Sequence, residues 1–438
     1  MKKASRKLRV RPLLCGLAVI TGLALSGCST ANLGTGSQKT AKIFVIGQSE
    51  GIQFWEDVEK GARDAAEEFS QELHYANAQS ISDVEGQINL INEAINLKVD
   101  VIVISLNDTE ALKAPLEAAR NAGIKVMTLN ADFDILNDET AASRRAAFVG
   151  TNNFISGQIA GKHVIGAYED PVNDKALIVA HSKSASSAVS RVGGFRSVVE
   201  STIGPLAGQA RAAAAMAAAQ AAAQAAAQGN PDENGAGGPP DGAGGPPAGV
   251  QGDQGDAPDG AGGPPAGVQG DQGGAPDGAG GPPEGAGGPP DGAGSAGDFS
   301  AIAGQMVCEG DVNLAKAQTT QFLQEHPEVK IVLATNESST LGVCQAIQEM
   351  DFEPDDLEVI GFNANDAELQ YLRAGILDGL VVQNPYNMGY LSVYYAGQLA
   401  SGQSIAANID TGVTFVTAEN IDNDDIQLIL DPKKYLSK

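Results

Sequence analysis

From residue 42 onward, short runs of consecutive apolar residues alternate with amphipathic helical stretches, and no other feature constrains the chain as tightly. Strand candidates fall at 43–47, 101–105 and 125–129, with helical periodicity over 54–69, 84–97 and 110–122. A run such as Val101-Ile102-Val103-Ile104 has no polar alternation. A strand that is apolar on both faces is buried on both, which implies a parallel sheet covered by helices. The rhythm restarts with strands at 147–150 and 176–180, a helix from 155 and another over 190–201. It breaks off and then resumes with strands at 305–308, 331–335, 358–362 and 379–383. The expected fold class is α/β, with two doubly wound lobes.

The break, residues 205–298, is low in complexity. It opens as almost pure alanine over 212–228, where helix propensity is high but no large side chain is offered to a core. Gly-Gly-Pro-Pro repeats follow, with one twelve-residue unit at 244–255 recurring at 262–273. Between Ala212 and Asp298 stand eleven acids and no Lys or Arg. Such a segment cannot bury enough apolar surface to offset its ordering entropy, so a disordered insert is expected. Glycine does not recur at every third position, which excludes collagen. A helix-to-strand connection lies at the amino ends of parallel strands, whereas ligands bind at the carboxyl ends. The insert is therefore expected to leave the second lobe away from any cleft, as a spacer or interaction tail dispensable for binding.

The first residues read as a leader. Lys2, Lys3, Arg6, Lys7, Arg9 and Arg11 precede an apolar stretch over 13–25 that is too short to span a membrane. Leu25-Ser26-Gly27-Cys28 then resembles the bacterial lipobox, in which the cysteine is lipidated and the chain is cut before it. The expected product is a lipoprotein on Cys28, with 28–40 as a flexible tether, at the cell envelope in the periplasm or on the outer face of the cytoplasmic membrane. Losing six basic residues and no acid with the leader takes the formal charge from −26 to −32. A surface that acidic repels phosphate backbones, so nucleic acid is not an expected partner. Cys308 and Cys344 remain; export permits a disulfide, but two separate buried thiols is the plainer expectation. Neither they nor the scattered His74, His163, His181 and His326 have a zinc spacing. No metal or cofactor is expected.

Several segments together resemble the type I periplasmic sugar-binding proteins. They include Ile43-Phe44-Val45-Ile46-Gly47 with Phe54-Trp55, Gln87 with 98–105, and Val149-Gly150-Thr151-Asn152-Asn153. Arg191-Val192-Gly193-Gly194-Phe195, Ala334-Thr335-Asn336-Glu337, Ile360-Gly361-Phe362-Asn363 and Gln383-Asn384-Pro385-Tyr386 continue the pattern. The resemblance spans about residues 41–420, interrupted only by the insert. It implies two Rossmann-like lobes joined by three crossings, near Thr151, Gln383 and Asp410, with a ligand held between them. The first lobe is expected to comprise 41–151 and 384–410, and the second 152–204, 299–383 and 411–438.

Site candidates follow from strand ends. Gln48, Phe54 and Trp55 come after the first strand, and aromatic faces suit the C–H-rich face of a sugar ring. Ser105, Asn107 and Asn130 follow two more strands of the first lobe, while Asn336, Asn363 and Gln383 end strands of the second. Short amides offer donors and acceptors together, as hydroxyls require; helix capping is the competing role for Asn107, Asp108 and Asn336. Core packing is the competing role for Phe54 and Trp55. By the resemblance, Asn130 and Asn363 stand where ribose-type binders carry aspartates, Ala131 and Val189 where they carry arginines, and Gly310 where an aromatic closes the ring sandwich. Charged contacts are thus expected to be missing, which argues against ribose and leaves a neutral polyol, another sugar or another small solute. Asp132 or Asp134 could supply a displaced carboxylate, with solvated loop acids as the plainer expectation.

Catalysis is not expected. The serines near His181 lack a Gly-x-Ser-x-Gly elbow, and no Gly-x-Gly-x-x-Gly or Walker loop follows a first strand. His181 itself could face the cleft. The expected function is capture of a carbohydrate-like solute by a monomer that delivers it to the permease of an ABC importer. Alternatives are a receptor feeding a membrane sensor kinase and an envelope protein acting through its insert. A repressor core sharing the fold is disfavoured by the export signal.

Overall fold

The computed structural model describes residues 40–133, 140–227, 300–352 and 356–430. Cys28, the leader, Asp134 and residues 228–299 lie outside these. The first sheet is built from β1 (Lys42–Gly47), β2 (Glu72–Asn77), β3 (Val101–Ile104), β4 (Lys125–Leu129) and β5 (Ala147–Gly150), with α1 (Gln53–Glu68), α2 (Val84–Leu97) and α3 (Lys113–Asn121) between strands. The chain then forms α4 (Asn153–Val164), β6 (Lys175–Ala180), α5 (Ser186–Ala227), β7 (Ile302–Val307), α6 (Val312–Glu325), β8 (Val329–Ala334) and α7 (Glu337–Glu349). It continues through β9 (Glu358–Phe362), α8 (Asp366–Arg373), β10 (Gly379–Gln383), α9 (Pro385–Ala400), β11 (Asn408–Asp410), β12 (Val413–Val416) and α10 (Asp424–Leu430).

These strands make two six-stranded sheets, ordered β11-β5-β4-β3-β1-β2 and β12-β10-β9-β8-β6-β7. All pairings are parallel except β10 with β12. The order reverses between β1 and β3 in one sheet and between β6 and β8 in the other, so each lobe is doubly wound. Val101–Ile104 is buried at every position, as its unbroken apolar run requires. The chain passes from the first sheet to the second after β5, packs α9 back against α1 after β10, and crosses again between β11 and β12. Thr151 and Gly412, from two of these crossings, are joined by a hydrogen bond of 2.9 Å.

In each lobe the first helix meets a later helix in backbone contact. A Cβ on Gly61 of α1 or Gly389 of α9 would run into the carbonyl of Tyr386 or Val58. Gly157 of α4 and Gly194 of α5 face the carbonyls of Arg191 and Phe154 in the same way. Only glycine lets these axes approach so closely, and the approach fixes the first helix of each lobe over its sheet.

Two elements differ from expectation, whereas the two remaining cysteines agree with it. β2 has no continuous apolar run because it is an edge strand and largely half-buried, so its residues carry no core signature. The helix expected to stop near residue 201 runs on to Ala227, past Pro205 and into the alanine tract, so the start of the segment expected to be disordered is helical. Its packed part ends at Ala207, which is fully buried; most positions beyond are exposed. Cys308 and Cys344 are free, buried thiols in the core of the second lobe.

Candidate functional site

A cavity of about 430 Å³ lies between the lobes at the carboxyl ends of both sets of strands. The first lobe contributes Gln48, Ser49 and Ile52 from the loop after β1, Phe54 and Trp55 from the start of α1, Ile81 after β2 and Asn130 after β4. The second contributes His181 after β6, Arg191 of α5, Gly310 after β7, Asn336 and Ser338 after β8, Asn363 after β9 and Gln383 at the end of β10.

The first-lobe wall is neutral. Phe54 and Trp55 are 6 % and 4 % exposed and meet edge-on with ring centroids 5.0 Å apart. They line the cavity and also belong to the lobe's core, so both roles weighed for them hold. Gln48 donates through Nε2 to the carbonyl of Leu106 at 2.8 Å. Ser105 and Asn107 do not line the cavity. The Ser105 hydroxyl accepts the Ala131 N–H, and Asn107 donates through Nδ2 to the carbonyls of Gln48 at 3.2 Å and Ser80 at 3.1 Å. Asn107 braces the Gln48 loop from behind, and Ser105 braces the loop that carries Asn130. Asp108 takes the capping role, accepting the N–H groups of Glu110 and Ala111. Asp132 is neither solvated nor in the cavity, because its carboxylate is buried in an ion pair with Arg145 and also accepts from Thr128.

Asn130 and Asn363 hold equivalent places in the two lobes. Each follows a buried strand with a left-handed backbone, φ 54° and 80°, a conformation asparagine adopts more readily than most residues. Their N–H groups donate to the next strand, at Val149 and Val381. Asn363 Oδ1 then accepts from Gln383 Nε2 at 3.1 Å. Asn336 both lines the cavity and caps α7 through a capping box with Ser339.

The charge expected to be missing is present in Arg191. Val189, the position matched to an arginine, is exposed, and the guanidinium two residues on is 98 % buried in the cavity wall, with 2 % of its surface accessible. Its Nε donates to Asn153 Oδ1 at 2.9 Å, its Nη1 to the Thr335 carbonyl at 2.6 Å, and its plane lies 4.5 Å from the Phe362 ring centre. Burial pulls its pKa down to about 9, so it is cationic at neutral pH. Helical periodicity could have found it, since Ala188 and Phe195 on the same face are fully buried. His181 Nδ1 and Nε2 are engaged by Thr335 and Ser187. Burial first and Arg191 second hold it well below the usual imidazole range, hence neutral.

Three cavity residues carry buried polar atoms without a protein partner: Asn130 Oδ1, Gln383 Oε1 and Arg191 Nη2. Buried polar atoms are normally paired, so these mark unused hydrogen-bonding capacity in residues of the cavity wall.

The lobes also touch directly. Helix α1 begins after Ile52, whose side chain caps nothing. Glu337, from the second lobe, accepts the N–H groups of Gln53 and Phe54 at 3.2 and 3.1 Å and so caps α1 from across the cleft. Burial raises the Glu337 pKa, partly opposed by hydrogen bonds from Asn365, Phe54 and Gln53. The Asp132 N–H reaches the Ser186 hydroxyl at 2.8 Å, and a Cβ on Gly310 would strike Ile81. These contacts describe a closed cleft. Among the described residues, no group of three His, Cys, Asp or Glu side chains could hold a metal ion.

A sequence model described as the periplasmic binding protein domain matches residues 43–248 and 292–404. A fructose import binding protein of Bifidobacterium longum is 27% identical over 154 residues, 34% of this chain and 46% of that protein. A D-ribose/D-allose-binding protein of Pseudomonas aeruginosa is 24% identical over 190 residues, 42% of this chain and 58% of that one. The chain thus spans about half the length of the curated relatives it matches. Among solved structures, a carbohydrate transporter solute-binding protein of Agrobacterium radiobacter with D-arabinose has a TM-score of 0.63 at 21% identity, covering 90% of this chain and 99% of that one. An ABC transporter solute-binding protein of Agrobacterium vitis with D-fucose gives 0.62 at 22%, covering 89% and 100%.

Proposed function

This chain belongs to the periplasmic binding protein domain family, and from that premise we propose that it captures a sugar or similar polyhydroxy solute between its lobes and delivers it to an ABC importer. One observation carries the reading. The cavity joins a buried aromatic pair on one side to strand-end amides on the other, with unpaired acceptor atoms on Asn130 and Gln383. A sugar ring supplies what that arrangement lacks, namely an apolar face for Phe54 and Trp55 and hydroxyl donors for the two acceptors. Cleft closure around the solute is a hinge motion about the crossings at Thr151, Asn384 and Thr411, driven by contacts that only the closed state makes. The sugars of the similar proteins, fructose, ribose or allose, D-arabinose and D-fucose, favour the same class.

The family works outside the cytoplasm, which agrees with reading residues 1–27 as an export signal. In this proposal Cys28 carries the lipid that holds the receptor on the membrane, and several acyl chains are needed because one binds only marginally. Among the described residues no helix is long and apolar enough to cross a membrane. A thermal-shift screen of sugars, sugar acids, polyols and nucleosides tests the function. A ligand at a hundred times its Kd adds about 2.7 kcal/mol to stability. A shift with a carbohydrate is expected; a shift confined to nucleosides would overturn the reading.

A further inference from the structure

We infer that the solute is a polyhydroxy acid, a sugar carrying a carboxylate, and that Arg191 selects it; this rests on the carbohydrate reading above and adds the charge of the ligand. The inference starts from the charge inventory of the cavity. Of the residues that line it, only His181 and Arg191 are titratable, and His181 is neutral with both ring nitrogens engaged. No lining residue is an acid. The cavity wall therefore carries one net positive charge.

Among the described residues, no carboxylate pairs with that charge. Arg191 donates only to neutral oxygens, those of Asn153 and Thr335. Burial is the sole cause that lowers its pKa, with no carboxylate opposing it. A buried guanidinium left partly unpaired is costly, and two contacts to neutral oxygens and one to the Phe362 ring offset only part of that cost. Elsewhere in the chain the contrast is plain: Arg145, also buried, is matched by Asp132.

The unpaired atoms specify the complement. Nη2 of Arg191 is a cationic donor, while Oδ1 of Asn130 and Oε1 of Gln383 are neutral acceptors. A ligand that satisfies all three brings an anionic oxygen to the first and two hydroxyl hydrogens to the others. A neutral sugar fills the two acceptors but leaves the guanidinium with a hydroxyl oxygen in place of a charge. Asp57 and Glu337 border the neighbouring recess rather than this cavity, and the Glu337 carboxylate is committed to the amino end of α1.

The test is isothermal titration of the purified protein at pH 7 with matched pairs: D-galacturonate against D-galactose, D-glucuronate against D-glucose, D-gluconate against D-sorbitol, and D-ribonate against D-ribose. The expected result is that the tightest ligand is an acid, bound at least about tenfold more tightly than its neutral partner. Arg191→Gln should reduce that ratio to about one. Because the variant loses contacts to Asn153 and Thr335, the wild-type ratio stands as the primary measurement whether or not the variant folds. A neutral sugar bound as tightly as its acid would overturn the inference and leave the carbohydrate reading intact. Absence of binding by every sugar and every sugar acid would overturn both.

Discussion

The two walls of the cleft are built from the same strand-end positions, yet they differ in kind. The first lobe presents Phe54 and Trp55, which are continuous with its core, and amides that are braced from behind by Ser105 and Asn107. The second presents a buried cation and a string of polar strand ends at His181, Asn336, Asn363 and Gln383. Shape is therefore set by one lobe, and polarity with charge by the other. It follows that substitutions in the first wall should strike stability before affinity, and those in the second should strike affinity before stability.

The largest effect is expected at Trp55. Truncation to alanine removes a residue 4 % exposed from the first-lobe core and should cost about 3–5 kcal/mol of stability, read by chemical denaturation. A cost below about 1 kcal/mol would show that the ring belongs to the cleft alone, and would break the contrast. Next comes Arg191→Met, which keeps the length of the side chain and loses its charge. Affinity for the carbohydrate ligand should fall about hundredfold in calorimetric titration, equivalent to about 2.7 kcal/mol. A fall under threefold in a folded variant would remove the cation from recognition.

Asn363→Ala is a smaller step. It frees Gln383 Nε2 and removes one strand-end amide, with a loss of about 1–3 kcal/mol in binding, or five- to hundredfold in Kd, and little change in melting temperature. Equal losses of stability and affinity would mean that the second wall is as structural as the first. The smallest effect is expected at Glu337→Ala, which uncaps α1 only in the closed state. An N-cap contributes about 1 kcal/mol, so affinity should weaken about fivefold. Unchanged affinity would show that the cap across the cleft does not favour closure.

The doubly wound fold was legible because its buried strands are apolar on both faces, as in Val101–Ile104. β2 was not, because an edge strand with His74 and Tyr75 at half-buried positions has no such run. The length of α5 was also hidden. Proline usually ends a helix, but alanine beyond Pro205 sustains this one. Of the residues singled out by strand-end position, Gln48, Asn130, Asn336, Asn363 and Gln383 line the cavity, whereas Ser105 and Asn107 do not. Position along the chain does not say which way an amide turns, and these two turn to neighbouring backbone. Arg191 was overlooked because matching by motif fell on Val189, two positions away. On a helix that offset turns a residue from the buried face to the exposed one.

Trp55 is the only tryptophan in the chain, and it lines the cavity. Its fluorescence is therefore the most direct test that solute binds between these two walls. Titration with the carbohydrate that shifts the melting temperature most should change the emission saturably, with a Kd equal to that from calorimetry. Saturable binding by calorimetry with an unchanged tryptophan spectrum would place the ligand outside this cleft and contradict the account.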